Sequence, residues 1–355
     1  MRVLQLVDSL DTGGTERVAV NIANALAEET MVSALCSTRR EGLLKQSLKS
    51  NVIYLYLNKK LKIDIRAIVK LYKFVSHNQI EIIHAHSSSF FLAVVLKLLN
   101  RKVKVIWHDH YGKSNFLEKR SHKVLKFCSK FFSHILCVNK ALEIWAKEVL
   151  KTESVVYFPN FAIQYHQKPE TQLFGTKGKR IIHLANLRPQ KDHIKLLEAF
   201  SIVKCKAPEW TLHCVGKDFN DAYANRIKNH TKALNLNSHV FFYGNRHDVT
   251  AILNQSDIGV LSSKSEGLPI ALLEYGLAEL PCVITDVGDC REVISSPDYG
   301  VLIEKSTTEN LANGLLDLIK NENLRKKTGG FLKEKVLHSF SKETQIRKLI
   351  NIYAQ

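Results

Sequence analysis

The sequence predicts an α/β protein built from two Rossmann-like halves. Short apolar runs of strand length alternate with longer segments whose apolar residues have helical spacing, which is typical of a parallel sheet covered by helices on both faces. A polar stretch with Pro169, Gly175 and Gly178 interrupts this alternation near the middle of the chain, and the alternation restarts at Arg180. The two halves share a plan without an obvious sequence repeat.

The elements of the first half follow from the spacing of its apolar residues. Strand-like runs occur at 2–7, 31–36, 52–57, 80–84, 103–107 and 135–138. Helical patterns occur at 16–28, 64–78, 90–99 and 124–132. We expect these residues to form a first domain over residues 1–165.

The second half repeats the pattern and closes with a helix. Strand-like runs occur at 180–184, 211–215, 240–243, 258–261 and 282–285. A final helix is predicted over 342–353, with Ser341 as its N-cap. We expect a second domain over residues 166–340.

Composition limits the class of protein. The 355 residues are 45% hydrophobic and 24% charged, as in a globular protein, and the longest apolar stretches are shorter than the ~20 residues that cross a bilayer. The N-terminus has no long apolar segment with a cleavage site, so no signal peptide is expected. The 7 cysteines are scattered without a Cys-x-x-Cys pair, which favours reduced thiols and a cytoplasmic location.

The net charge of +17 is concentrated in the first half. Residues 1–175 contain 26 Lys+Arg against 14 Asp+Glu, whereas residues 176–355 contain 25 against 20. The excess falls at 59–73 and 101–130, where basic residues are mixed with large apolar ones. This pattern favours an anionic membrane surface as a partner, with a solvated basic face as the alternative. Nucleic acid is not expected.

The most informative segment is 265–274, SEGLPIALLE. A strand-like run leads into a loop ending at Gly267, and Pro269 then opens an apolar helix, where its missing N–H costs nothing. The N–H groups of the first helical turn, which the pattern places near Leu268 and Pro269, and the helix dipole suit a phosphate. Glu266 and Glu274 are about two turns apart on one face, where carboxylates can hold sugar or ribose hydroxyls. An ordinary solvated helix face is the alternative.

This segment resembles the E-x7-E signature of the retaining GT-B enzymes of glycosyltransferase family 4. The downstream segment 280–289, LPCVITDVGD, is similar to that family's strand and glycine-containing loop. The resemblance covers essentially the whole chain. It implies two Rossmann-like domains facing across a cleft, with the segment 341–355 crossing back to the N-terminal domain.

The loop 186–192, NLRPQKD, is similar to the family's Gly-Arg-Leu-x-x-x-Lys-Gly loop. Arg188 and Lys191 match the residues that hold the donor diphosphate, and two fixed cations can stabilise the charge on a leaving diphosphate without a metal. Asn186 and Asp192 replace the family's glycines, so the charges are carried over but the loop shape is not. Ordinary surface charge is the alternative.

The segment 8–16, DSLDTGGTE, joins the first strand to the first helix. Its pair Gly13 and Gly14 allows a close approach to a ligand and a positive φ. The resemblance implies that this loop faces donor and acceptor, with Thr15 and Glu16 on the acceptor side. The dinucleotide pattern Gly-x-Gly-x-x-Gly is absent from this turn, which lowers a dehydrogenase interpretation.

Two histidine pairs follow strands, at His84 and His86 and at His108 and His110. For His86 we weigh a structural role, a substrate contact on the acceptor side and a metal. The resemblance places a histidine near a hydroxyl of the transferred sugar, with His108 the better match and His110 the second. Asp109 or a backbone carbonyl could fix the tautomer of that imidazole, and local packing of the loop is the alternative.

Two further candidate sites lie at the ends of predicted strands in the second half. Gly216 and the segment 243–246 match edges that the family uses around the nucleotide base. Gly216 could equally be a simple turn residue.

The resemblance implies a retaining transfer of sugar from a nucleotide-diphosphate sugar to a glycan or lipid-linked acceptor of a surface polysaccharide or lipopolysaccharide. Glu266 would bind a donor-sugar hydroxyl and Glu274 the ribose. No cofactor and no metal are expected. The alternatives are a nucleotide-sugar epimerase of the same fold and a non-catalytic basic module that binds membrane or nucleic acid.

Overall fold

A computed structural model describes residues 1–112, 114–150, 152, 154–163 and 168–355. Its internal contacts divide the chain into two units, Met1–Phe161 with Lys342–Gln355 and Ala162–Ser341. The predicted domain boundary between residues 165 and 166 lies outside the described residues. Each unit contains one parallel sheet with helices, which confirms the α/β prediction of two Rossmann-like domains.

Unit 1 is a seven-stranded parallel sheet in the order β3-β2-β1-β4-β5-β6-β7. Its strands are β1 Arg2–Ser9, β2 Val32–Arg40, β3 Ile53–Tyr56, β4 Ile82–His86, β5 Lys104–Asp109, β6 His134–Cys137 and β7 Val155–Tyr157. Its helices are α1 Gly14–Glu29, α2 Ile65–His77, α3 Phe90–Leu99, α4 Lys123–Cys128, α5 Lys140–Trp145 and α13 Lys342–Ala354.

The core of unit 1 lies on both faces of this sheet. One face packs Ala67, Leu71 and Val75 of α2 against the sheet and α3. On the other, α1 packs Ala19 and Ala23 against the sheet residues Val7 and Leu35. Helices cover both faces, so the central strands are buried along most of their length, with a few polar residues such as Gln5 and His84 among the apolar ones.

The last helix, α13, belongs to unit 1, as the family resemblance implies. Lys348 of α13 donates to the carbonyl oxygen of Tyr157 at 2.6 Å, and the buried Tyr353 bonds to His84 of β4. The C-terminal segment is therefore part of the N-terminal fold.

Unit 2 is a six-stranded parallel sheet in the order β10-β9-β8-β11-β12-β13. Its strands are β8 Arg180–Leu184, β9 Thr211–Val215, β10 Val240–Gly244, β11 Ile258–Leu261, β12 Cys282–Thr285 and β13 Val301–Ile303. Its helices are α6 His193–Lys206, α7 Ala222–Ala233, α8 Val249–Leu253, α9 Ile270–Leu277, α10 Cys290–Val293, α11 Thr308–Lys320 and α12 Glu322–Ser339.

Two further sequence-based expectations bear on the fold. All 7 cysteines are free, and all but Cys205 are buried, in agreement with the expectation of reduced core thiols. None of the described helices combines the length and the apolar character that a bilayer crossing requires.

Helix α12 approaches the chain between α9 and β12 so closely that one of its glycines is required. A Cβ atom on Gly329 would lie 2.1 Å from the carbonyl oxygen of Glu279, whereas a Cβ atom on the neighbouring Gly330 would meet no atom within 4 Å from the rest of the described chain beyond its own helical turn. The same substitution at two adjacent helical positions should therefore have opposite effects.

We predict that Gly329→Ala destabilises the protein by about 1–3 kcal/mol, because backbone atoms must shift to admit the methyl group. Gly330→Ala is the matched control and should stabilise by up to about 1 kcal/mol, since alanine loses less conformational freedom in a helix. Urea unfolding midpoints measure both. Equal effects of the two substitutions would contradict this packing.

Candidate functional site

The candidate residues of unit 1 lie at one edge of its sheet. The carboxyl ends of parallel strands meet at the same edge, and loops there bind ligands in open α/β sheets. Because β1, β4 and β5 are neighbours, the structure brings the glycine loop after β1 to the same edge as His86, His108 and His110.

The glycine loop differs from the sequence-based expectation. Gly13 is the N-cap of α1 with an extended φ of −151°, and Gly14 is the first helical residue. Neither glycine has a positive φ, so that expectation is wrong. A Cβ atom on Gly13 would instead lie 2.3 Å from a carboxylate oxygen of Glu16, so the glycine makes room for that side chain.

Thr15 and Glu16 lie in the first turn of α1. Glu16 accepts a hydrogen bond from the hydroxyl of Ser9 at 3.1 Å. Burial raises the pKa of Glu16 despite this bond and one from the backbone, and the nearby carboxylates Asp11 and Asp8 add to the increase. Glu16 is thus a carboxyl group that holds its proton more tightly than a solvated one.

Four histidines pack together at the ends of β4 and β5. His84 and His86 stack with ring centroids 4.5 Å apart, and the rings of His108 and His110 are 4.0 Å apart. Burial lowers the pKa of His86 to about 3 and the pKa values of the other three well below the ordinary value, with neighbouring imidazoles adding to the effect. All four rings are neutral near pH 7.

The structure separates the two histidines considered for the sugar contact. His108 is fully buried, and its Nδ1 lies 3.2 Å from Nε2 of His84. His110 is half-buried, and its Nε2 lies 3.1 Å from Nδ1 of His86. Of the two, His110 is the one that reaches the surface of the unit.

Asp109 has a different partner from the one expected. It accepts two hydrogen bonds from the guanidinium of Arg120, at 2.6 and 2.9 Å, instead of fixing an imidazole tautomer. Arg120 also lies over the rings of Tyr111 and Trp145 at 4.4 and 4.2 Å. This buried pair, which sequence analysis missed, ties the end of β5 to the segment that follows His110.

The same cluster could hold a metal ion. The candidate ligand atoms of the buried His84, His86 and His108 all lie within 4.8 Å of one another. The expectation that the protein needs no metal therefore stays a prediction.

In unit 2, Lys191 and Glu266 form the centre of the candidate site. The ammonium of Lys191 lies 2.6 Å from Oε1 of Glu266, which also accepts a hydrogen bond from Ser263 at 2.6 Å. The hydroxyl of Ser262 donates to the carbonyl oxygen of Lys191 at 2.9 Å. The loops after β8 and β11, distant in sequence, are thus joined at the edge of the sheet.

Arg188 lies in the same loop and is exposed. Its guanidinium lies 4.2 Å from the ring centroid of Phe219, a contact that the sequence did not predict. An aromatic face holds such a side chain extended without removing its charge.

The loop of Arg188 and Lys191 keeps a glycine-like shape without glycine. Asp192 has a left-handed backbone, φ +50° and ψ +48°, at a position where the family resemblance expects glycine. Its carboxylate is paired with Lys195 and Lys264, each at 3.1 Å, and Oδ1 of Asn186 accepts from the N–H of Lys217 at 2.7 Å. The two residues that replace glycine, Asn186 and Asp192, are therefore each held by contacts of their own side chains.

Two glycines in unit 2 permit close backbone contacts. A Cβ atom on Gly216 would lie 2.1 Å from the carbonyl oxygen of Ala185, and one on Gly288 would lie 2.3 Å from that of Gly267. Gly216 thus allows the end of β9 to lie in contact with the end of β8. Gly288 likewise allows the loop after β12 to lie in contact with Gly267.

The helix that follows Gly267 begins slightly later than predicted. It runs over Ile270–Leu277, so Pro269 is its N-cap and not part of its first turn. The side chain of Leu268 is buried, so only its backbone can face a ligand. Glu274 lies in the second turn and is half-buried.

Two family models match consecutive parts of this chain. The model "Glycosyltransferase Family 4" matches residues 12–161, and the model "Glycosyl transferases group 1" matches residues 165–334. Together they span both units.

Curated relatives and solved structures agree with these models. An uncharacterized glycosyltransferase of Haemophilus influenzae is 28% identical and is covered over 88% of each chain. The UDP-Gal:alpha-D-GlcNAc-diphosphoundecaprenol alpha-1,3-galactosyltransferase of Escherichia coli is 24% identical, with 96% of this chain and 93% of that protein covered. The Anabaena protein Alr3699/HepE, solved with UDP and glucose, is similar over 100% of both chains, with a TM-score of 0.83 and 18% identity. The epimerase and binding-module alternatives are not favoured by these matches.

Proposed function

The chain belongs to the family 4 glycosyltransferases, and on that premise we propose that it moves a sugar from a nucleotide-diphosphate sugar to a glycan or lipid-linked acceptor with retention of anomeric configuration. The observation that carries the proposal is the pairing of Lys191 with Glu266 at the carboxyl edge of the second sheet, with Arg188 exposed in the same loop as Lys191. The E. coli relative, whose name specifies a UDP-sugar donor and a diphosphoundecaprenol-linked acceptor, supports this choice of substrates.

Charge on the departing diphosphate is the main demand of this reaction. Arg188 is held on Phe219 and Lys191 is held by Glu266, so both cations are in place before the bond to the sugar breaks. Preorganised charges stabilise a developing anion more than solvent does, because they need no reorganisation. The backbone N–H groups at Gly267 and in the first turn of α9 would add donors toward a phosphate, whereas Pro269 has no N–H and would only fix the start of the helix.

The other contacts with the nucleotide-sugar are assigned from where each residue lies at the edge of the second sheet. Glu266 would exchange part of its contact with Lys191 for a sugar hydroxyl. Glu274, half-buried in the second turn of α9, would accept from the ribose hydroxyls. Gly216 would leave space for the nucleotide at the exit of β9.

Unit 1 would supply neutral imidazoles and the first turn of α1. The loop of Gly13 and Gly14, with Thr15 and Glu16 in the first turn of α1, would face the acceptor side. His86 acts through His110, whose imidazole reaches the surface and can bond a hydroxyl. His108 would support His110 from within the fold, since the two rings are packed together.

Retention places the attacking hydroxyl on the face from which the diphosphate leaves. A phosphate oxygen of the leaving group can then accept the proton of that hydroxyl as the new glycosidic bond forms. The departing C–O bond electrons go to the diphosphate, which Arg188 and Lys191 stabilise.

We also propose that unit 1 docks on an anionic membrane, in keeping with a lipid-linked acceptor and a place on the inner face of the cytoplasmic membrane. Helices α2, α3 and α4 are consecutive neighbours. Their exposed apolar residues include Leu61 just before α2, Ile65 and Phe127, which are 66, 74 and 61% exposed. Exposed basic residues alternate with them: Lys62, Arg66, Lys73, Lys123 and Lys126. Apolar side chains beside cations suit the interface of an anionic bilayer.

We predict that a panel of UDP-, GDP- and ADP-sugars without metal gives a thermal shift confined to one nucleotide. A ligand at 100 times its Kd stabilises by about 2.7 kcal/mol. Arg188→Ala should remove that shift and reduce transfer by a factor of about 100–1,000, because a fixed cation at the diphosphate is lost. The melting temperature of the free protein should be unchanged, because Arg188 is exposed. Glu274→Ala should abolish transfer.

Arg226→Ala on α7 is the matched control, since this arginine is also exposed in unit 2. It should retain the shift and the activity. Full activity of Arg188→Ala, or no shift with any nucleotide-sugar, would refute the donor assignment.

Stereochemistry is predicted separately. With methanol as a small acceptor, the methyl glycoside formed should have the same anomeric configuration as the donor, because attack and departure occur on one face. Proton NMR of the anomeric signal measures this, and a methyl glycoside does not mutarotate. The opposite anomer would rule out retention while leaving the donor assignment intact.

Binding to vesicles tests the membrane surface. The protein should sediment with vesicles that contain phosphatidylglycerol and not with neutral ones. The pair Lys73→Glu and Lys126→Glu should weaken binding at least about 30-fold, since each basic residue near the surface contributes about 1 kcal/mol. The control pair, Arg226→Glu and Lys232→Glu, makes the same change in net charge on α7. Equal losses in both pairs would show that net charge, and not this surface, governs binding.

A further inference from the structure

The four clustered histidines of unit 1, His84, His86, His108 and His110, belong to one hydrogen-bond network with two buried anchors. Gln5 comes from β1 and Tyr353 from the last helix, and both side chains are buried together with His84, His86 and His108. The network runs in two branches from the amide of Gln5, one to His108 and one to His110. Because each neutral imidazole has one donor and one acceptor nitrogen, fixing one member of a branch fixes the others.

The first branch runs from Gln5 through Tyr353. Nε2 of Gln5 donates to the hydroxyl of Tyr353 at 3.4 Å, and that hydroxyl lies 2.7 Å from Nδ1 of His84. Nε2 of His84 lies 3.2 Å from Nδ1 of His108. If the tyrosine donates to His84, then His84 donates to His108, and Nε2 of His108 must carry a proton.

The second branch runs from the other end of the same amide. Nε2 of His86 donates to Oε1 of Gln5 at 2.9 Å, which leaves Nδ1 of His86 as an acceptor. Nε2 of His110 lies 3.1 Å from that atom and therefore donates to it. The nitrogen of His110 that is not bonded to His86, Nδ1, is then without a proton.

The orientation of the Gln5 amide sets the direction of both branches. The structure places its nitrogen toward the hydroxyl of Tyr353 and its oxygen toward Nε2 of His86. Rotating the amide by 180° would reverse every bond in both branches. The two orientations therefore predict opposite tautomers for all four imidazoles, which a spectrum can distinguish.

We propose that Gln5 and Tyr353 hold all four imidazoles as Nε2–H tautomers, so that His110 presents a bare Nδ1 as an acceptor for a substrate hydroxyl. Tyr353 and Gln5 are positioning residues that act through the histidines. The tautomers follow from unit 1 alone, whereas the contact with a hydroxyl rests on the proposed function.

A shared metal ion fits this geometry less well. The rings of His84 and His86 are nearly parallel, with an interplanar angle of 11° and a centroid distance of 4.5 Å. The lone pairs of imidazole nitrogens lie in the ring planes, so stacked rings do not direct them at one ion ~2.0–2.1 Å from each. The pairwise nitrogen distances of 3.1 and 3.2 Å are hydrogen-bond distances.

The direct test is long-range proton–nitrogen correlation NMR on the full chain with ¹⁵N-labelled histidine at pH 7, with signals assigned by single His→Gln variants. We expect His84, His86, His108 and His110 each to show a protonated Nε2 and a bare Nδ1. A protonated Nδ1 on any of them would overturn the proposal. So would one equivalent of bound metal per chain in the purified protein, because the ion would occupy the nitrogens that accept hydrogen bonds here.

Tyr353→Phe tests the first anchor, since it removes only the hydroxyl. His84 and His108 should become mixtures of tautomers, whereas His86 and His110 should keep theirs through Gln5. In the enzyme, kcat should fall about tenfold, the equivalent of one hydrogen bond, with the donor-induced thermal shift unchanged. Tyr299→Phe in unit 2 is the control and should alter neither readout.

The outcomes separate the two proposals. If no nucleotide-sugar shifts the melting temperature of the unmodified protein, the proposed function is contradicted, but the tautomer assignment is unaffected. Unchanged His84 and His108 signals in Tyr353→Phe would overturn the role of Tyr353, whatever the enzyme does. The spectrum of the unmodified protein keeps the tautomer proposal falsifiable even where a variant fails to fold.

Discussion

The parallel register between β1, β4 and β5 is the constraint on which the first half of the site depends. Gln5 is the register partner of His84, and His86 is the register partner of His108. Successive side chains of a strand point to opposite faces, so a slip of one residue would move these groups to the other side of the sheet. The apolar residues between them are buried on both faces, which makes such a slip costly. Core packing thus fixes the polar network.

The edge of the first sheet carries uncharged hydrogen-bonding groups, whereas the edge of the second sheet carries cations. In unit 1, burial keeps four imidazoles uncharged, and they offer directed donors and acceptors of the kind that hydroxyls need. In unit 2, the edge carries two cations: Lys191 is paired with Glu266, and Arg188 is exposed. Neutral groups suit an uncharged sugar, and cations suit a diphosphate.

Sequence alone predicted the features that depend on local pattern. The alternation of strands and helices, the final helix and the loops after β8 and β11 follow from apolar spacing and from residue types that tolerate particular backbones. The three-residue strand β13 was missed because so short a run carries no period. The expectation of a positive φ in the glycine pair was wrong. Gly13 is needed because the carboxylate of Glu16 occupies the position of a Cβ atom, and not because the backbone makes a left-handed turn.

What sequence could not supply were contacts between residues far apart in the chain. Tyr353 and His84 are 269 positions apart, and Lys191 and Glu266 are 75 apart. Asp109 follows His108 directly, which made it a natural partner for that imidazole, yet Arg120 takes both of its oxygens. The left-handed Asp192 is partly such a case. Lys195 is three residues away, but Lys264, which also pairs with the carboxylate, becomes a neighbour only in the folded chain.

Two arginines show how surroundings assign a role to the same side chain. Arg120 is enclosed by Asp109, Tyr111 and Trp145, so its charge is neutralised within the fold and its guanidinium is available only for structure. Arg188 has an aromatic ring on one face and is exposed, so its charge remains directed outward. An aromatic platform restricts the long side chain without cancelling its charge, which lowers the entropy lost when an anion binds. The loop can therefore receive a diphosphate with its cation already extended, and the free energy of that contact goes into stabilising the leaving group instead of ordering the protein.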